Sequence, residues 1–112
     1  MAKGDLLGEF ELYVMLALAH LGDAAYGITV RREIEARTGR TVAIGAVYAT
    51  LARLEEKGLV RFLVSAPQPV QGGRARKYFS LTAAGVRALR HSTAMIARMT
   101  AGLSPDLRGG RS

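Results

Sequence analysis

Two short strand-like segments joined through a glycine turn constrain this chain more than any other feature. Residues 59–65, LVRFLVS, are β-branched and mostly apolar, and residues 77–81, KYFSL, carry aromatics that suit a pleated strand. Pro67 and Pro69 break the first segment, and Gly72-Gly73 supply a turn. The connection is longer than the tightest hairpins use. A two-strand ribbon buries no face on its own, so it must lie against helices.

Helical spacing supplies those helices. Residues 6–21 are apolar at Leu7, Phe10, Val14, Leu18 and Leu21, with Leu6, Tyr13, Leu16 and Ala17 adding apolar surface on other faces. Such a helix is expected to be covered on more than one side. A second helix fits 26–38, with Val30 and Ile34 inward, Arg31, Arg32 and Glu35 outward, and Gly39 as its stop. A third fits 44–57, closed by Gly58, and a fourth runs from Thr82 to about Thr100 or Ala101. The tail 104–112, SPDLRGGRS, is polar and glycine-rich and is expected to be disordered. Three helices followed by a hairpin is the layout of a winged helix-turn-helix. The predicted fold is therefore mainly α with one β hairpin: a DNA-binding domain over 6–81, then a dimerisation helix over 82–103.

Charge narrows the partners. The 112 residues carry 16 Lys and Arg against 9 Asp and Glu, a net charge of +7, which favours an anionic partner. The chain has no cysteine, which excludes disulfides, thiol chemistry and cysteine-based metal sites. His20 and His91 have no Asp or Glu at metal-ligand spacing, so no cofactor is expected. The longest apolar run, Leu12 to Leu21 with His20 inside it, falls short of the ~20 residues that span a bilayer and has no basic leader of the signal-peptide kind. A cytoplasmic location is expected.

The third helix separates into two faces at 100° per residue. Ile44, Val47, Leu51 and Leu54 gather on one side, and Ala46, Ala49, Thr50, Arg53 and Lys57 on the other, with Tyr48 on the flank. The outward face is small near its start and cationic farther along, which suits close approach to a major groove. Thr50 would meet a base edge or phosphate, and Arg53 a guanine or phosphate. The alternative is that the alanines only favour helix and that Arg53 and Lys57 pair with neighbours such as Glu56. Tyr48 fits either a phosphate contact or an ordinary tyrosine with its hydroxyl at the surface. Arg74, Arg76 and Lys77, beside Gly72 and Gly73, would reach phosphates from the hairpin, and Arg31 and Arg32 would add backbone contacts.

The last helix repeats Val86, Leu89, Thr93, Ile96, Thr100 and Leu103 at alternating spacings of three and four, with Met95 and Met99 widening the stripe. With Leu7, Phe10 and Val14 of the first helix, it predicts a homodimer surface. The alternative is a helix folded back on its own domain.

Four segments together resemble the PadR family of bacterial transcriptional regulators: LGEFELYVMLALAHLG at 7–22, AYGITVRREIEARTGR at 25–40, AIGAVYATLARLEEKGLV at 43–60 and GGRARKYFSLTAAGVRAL at 72–89. The resemblance implies a homodimer that binds double-stranded operator DNA, usually as a repressor. It places Tyr48, Thr50 and Arg53 on the recognition helix and Gly72, Gly73, Arg74, Arg76 and Lys77 in the wing. It implies a short member with a single helix after the wing, and leaves room for an unidentified small-molecule effector. The drug-binding tryptophan pair of some members is not carried over, because this chain has no Trp. An enzyme fits poorly, since Glu9, Glu11 and His20 form no convincing acid–base set. A basic amphipathic last helix lying on anionic lipid is the other rival, and it leaves the third helix and the hairpin unexplained.

Overall fold

The structure, a computed structural model, describes residues 7–65 and 76–107. Its elements follow in the order α1 (Glu9–Leu21), a 3-10 turn (Gly22–Ala24), α2 (Gly27–Thr38), α3 (Ile44–Glu56), β1 (Val60–Val64), β2 (Lys77–Leu81) and α4 (Ala83–Thr100). A second 3-10 turn, Pro105–Leu107, stands where composition predicts no structure. The winged-helix order is as expected, with helix ends shifted by capping. α1 begins at Glu9 because the Glu11 carboxylate accepts the Gly8 N–H at 3.0 Å. α2 begins after Tyr26, whose N–H is taken by the Thr29 hydroxyl at 2.9 Å.

The two strands pair antiparallel with Phe62 opposite Phe79 and Val60 opposite Leu81. β2 is also held on its other edge, where the Phe79 N–H donates to the Ala25 carbonyl at 2.8 Å and Tyr26 bridges Tyr78. The hairpin is therefore sewn to the link between α1 and α2. α1 packs on α2, α3, α4 and β2, which accounts for its apolar character on several faces. The core gathers Val14, Met15 and Leu18 of α1, Val30 and Ile34 of α2, Val47, Leu51 and Leu54 of α3, and Val60 and Phe79 of the hairpin.

Thr82 sets where α4 starts. Its hydroxyl donates to the Gly58 carbonyl at 2.7 Å and accepts the Gly85 N–H at 3.0 Å, joining the end of α3 to the first turn of α4. Gly85 is buried there, and a Cβ on it would lie 2.0 Å from the Leu59 carbonyl oxygen. Only glycine lets the two backbones meet so closely.

Candidate nucleic-acid interface

α3 presents a face almost without side chains at its N-terminal end. Gly45, Ala46, Ala49 and Ala52 are exposed, and a Cβ on Gly45 would meet nothing within 4 Å. Its N-cap, Ala43, makes no side-chain capping bond. The positive end of the helix dipole is left without a capping side chain beside a surface that another backbone can approach. Tyr48 is 47% exposed and lies across Gly27, where an added Cβ would come within 2.3 Å of its ring carbon Cζ and hydroxyl. That contact gives the Tyr26-Gly27 pair its physical reason: Tyr26 bridges the hairpin, and Gly27 clears room for Tyr48.

Thr50 departs from the expected outward face. It is only 2% exposed, because it follows Val47 by three residues and precedes Leu54 by four, which places it on their buried stripe. Its hydroxyl accepts from the Arg53 guanidinium at 3.1 Å. Thr50 therefore has no surface to offer a base edge.

Arg53 of α3 and Lys57 at its C-cap turn toward α1 rather than toward Glu56. Lys57 Nζ donates to Glu11 Oε2 at 2.9 Å, and Arg53 Nε lies 3.8 Å from the same oxygen. Glu11 is 8% exposed. Burial pushes its carboxyl up, but the Gly8 amide, the Lys57 ammonium and the Arg53 guanidinium together outweigh that and hold it below its ordinary value. In the sequence, Glu11 stands out only as a failed acid–base candidate. A signal was present: Glu11 precedes Val14 by three, Met15 by four and Leu18 by seven, so it stands on the buried stripe of α1, where a carboxylate requires a cation.

The hairpin base carries two cations seated on aromatic rings. The Arg76 guanidinium lies 4.5 Å from the Tyr26 ring centroid, and Tyr26 meets Tyr78 edge-on at 5.4 Å. Lys77 Nζ lies 3.8 Å from the Phe62 centroid. Both residues are exposed, so each keeps a solvent-facing charge on a fixed platform. Gly72, Gly73 and Arg74 lie outside the described residues. On α2, Arg32 is exposed as expected. Arg31 and Glu35 are half-buried instead, and Glu35 accepts the Val42 N–H at 2.8 Å.

The expected dimer surface divides in two. Val14 belongs to the core of its own chain, fully buried, because it sits on the α1 stripe with Met15 and Leu18. Leu7, Phe10 and Leu89 are half-buried against that core, and Val86 is half-buried on the first turns of α4. Farther out, Thr93, Ile96 and Leu103 are exposed, Thr100 is half-buried, and Met99 is 80% exposed. The first turns of α4 thus pack on their own domain, and the outer turns leave their apolar stripe open. Among the described residues there is no cluster of three or more His, Cys, Asp or Glu that would hold a metal ion, and no helix long and apolar enough to cross a membrane.

Comparison with known proteins places this arrangement. The family model of the PadR-like transcriptional regulators matches residues 15–91. A PadR family transcriptional regulator from Eggerthella lenta is 30% identical, with a TM-score of 0.62 over 80% of this chain and 80% of its own. A PadR family transcription regulator from Clostridium difficile is 25% identical, with a TM-score of 0.69 over 83% of this chain and 95% of its own. RosR of H. salinarum, 23% identical, shares the fold with a TM-score of 0.66 over 88% of this chain and 81% of its own. No curated protein matches the chain. With its helices, hairpin and matched residues in agreement, the chain belongs to the PadR-like family of winged-helix transcriptional regulators.

Proposed function

We propose that the chain is a homodimeric repressor of the cytoplasm that reads a pseudo-palindromic operator in double-stranded DNA. The observation that carries this reading is the bare, uncapped start of α3, with Gly45, Ala46 and Ala49 exposed. A major groove accepts such a helix end closely, and the helix dipole favours a phosphate beside it. Ala46, Tyr48 and Ala49 would form the contact face, with Arg53 at its side reaching a guanine. Arg76 and Lys77, with Gly72, Gly73 and Arg74 just before them in sequence, would grip the flanking backbone. The open stripe of Ile96, Met99 and Leu103 supports a dimer built on α4, with Leu7, Phe10, Val86, Leu89, Thr93 and Thr100 along its border. Two-fold symmetry then sets two copies of α3 about one helical turn of DNA, ~34 Å, apart.

Selection of bound sequences from random duplexes, followed by titration of the selected and scrambled duplexes, tests the reading. A recovered inverted repeat with half-sites one turn apart is the expected result. Equal affinity for selected and scrambled DNA would refute it.

A further inference from the structure

One carboxylate oxygen of Glu11 faces both Arg53 of α3 and Lys57, which caps the C-terminus of that helix. The other oxygen caps α1 through the Gly8 N–H. Glu11 and Lys57 stand 46 residues apart in sequence, so the pair joins two elements rather than decorating one. A carboxylate this buried needs one cation to be tolerated. Here two are gathered on it, held differently. Lys57 is at hydrogen-bond distance, and its side chain is 35% exposed. Arg53 is held at 3.8 Å with a second anchor on Thr50, and its side chain is 55% exposed.

From this geometry we infer that Glu11 is a positioning residue that sets DNA specificity: it draws Lys57 and Arg53 against α1 and so withholds two cations per subunit from the sequence-independent grip on phosphates. The inference rests on the DNA-binding reading above. Non-specific affinity comes almost wholly from phosphates neutralised by Lys and Arg, each adding about 0.9 to the slope of log affinity against log salt. A cation held on Glu11 adds nothing to that slope. The bare start of α3 then carries a larger share of binding, and discrimination between operator and other DNA rises.

Salt-dependent titration of the full chain on selected and scrambled duplexes decides the matter. Glu11→Gln keeps the shape and the bond to Gly8 while removing the charge. It is expected to steepen the salt slope on scrambled duplex by about 0.9 to 1.8 per subunit. It should also lower the operator-to-scrambled affinity ratio severalfold. In an Arg53→Met/Lys57→Met background the same change should leave the slope where it was. Lys57→Gln, made at a solvent-accessible position, covers the case in which Glu11→Gln does not fold. A withheld Lys57 leaves the slope unchanged on removal, and a Lys57 that touches phosphate flattens it by about 0.9. An unaltered slope in folded Glu11→Gln, a steepening that persists without the two cations, or a flattened slope in Lys57→Gln would each overturn the inference. A wild-type chain that binds no duplex even at low salt would instead remove the functional reading, and this inference with it.

Discussion

Two glycines receive the same methyl group with opposite consequences. In Gly85→Ala the new Cβ would stand 2.0 Å from the Leu59 carbonyl oxygen and 3.0 Å from its carbonyl carbon. Both are backbone atoms, so the start of α4 must retreat by roughly 1.5 Å to reach ordinary contact. Overpacking of this kind costs about 1–3 kcal/mol. The retreat also strains the Thr82 cap, whose loss costs about 1 kcal/mol, and the better helix propensity of alanine returns less than about 1 kcal/mol. The net loss is about 2–3 kcal/mol. For the 112-residue chain, an unfolding entropy of about 2.1 cal/mol/K per residue converts this to a fall of roughly 10 °C in Tm. In Gly27→Ala the new Cβ meets the Tyr48 ring end at 2.3 Å instead. That ring is 47% exposed and swings aside for about 0.5–1.5 kcal/mol, partly offset by propensity. The expected Tm change is within about 4 °C. On the proposed function, the displaced Tyr48 weakens operator binding about fivefold, the worth of one hydrogen bond of roughly 1 kcal/mol. Far-ultraviolet circular dichroism melts at one protein concentration, paired with duplex titrations, separate the two effects. Equal melting losses in the two variants, or a Gly85→Ala chain that melts with the wild type, would refute the reasoning.

Light scattering at micromolar concentration should give about 24 kDa, twice the 12.0 kDa chain, and an Ile96→Asp/Met99→Asp chain should return the monomer mass. Folding favours ionised Glu11, so its contribution is complete above the unfolded value near 4.5 and is lost as pH falls through the lower folded value. The wild-type Tm should therefore drop more steeply than that of Glu11→Gln as pH falls from the unfolded value toward the folded one, which a melting series from pH 7 to 3 checks. Arg76→Ala and Lys77→Ala should weaken operator and scrambled duplex alike and flatten the salt slope by about 0.9 each, as titration at several salt concentrations reads. Arg53→Ala should weaken operator more than scrambled duplex in the same assay. Equal losses would make Arg53 a phosphate contact.

Local pattern carried the architecture into view. The aromatic segment at 77–81, the stop at Gly39 and the cap at Thr82 each depend on residues a few positions apart, and the structure places them as the spacing predicts. Thr50 stood at the edge of a helical wheel, where a rotation of a few tens of degrees decides between solvent and core. Only the packing of α1 and α2 on α3 settles that rotation. The period of α1 places Glu11 on the buried stripe, but its partners Arg53 and Lys57 come from a distant part of the chain, and no local period names them. The Tyr26-Gly27 pair was visible as a helix start. Its double duty, bridging Tyr78 and admitting Tyr48, arises only once the hairpin and α3 converge on it.

On the proposed dimer, the outer turns of α4 make melting a matter of mass action. Helical turns without packing are held by propensity alone, and stretches shorter than ~12 residues are marginal in water on that basis. Whatever covers Ile96, Met99 and Leu103 therefore also keeps those turns helical, so ordering and association share one equilibrium. If a second copy does the covering, stability per dimer falls by about 1.4 kcal/mol with each tenfold dilution. Two preparations of an identical chain would then melt at different temperatures simply because one is more dilute.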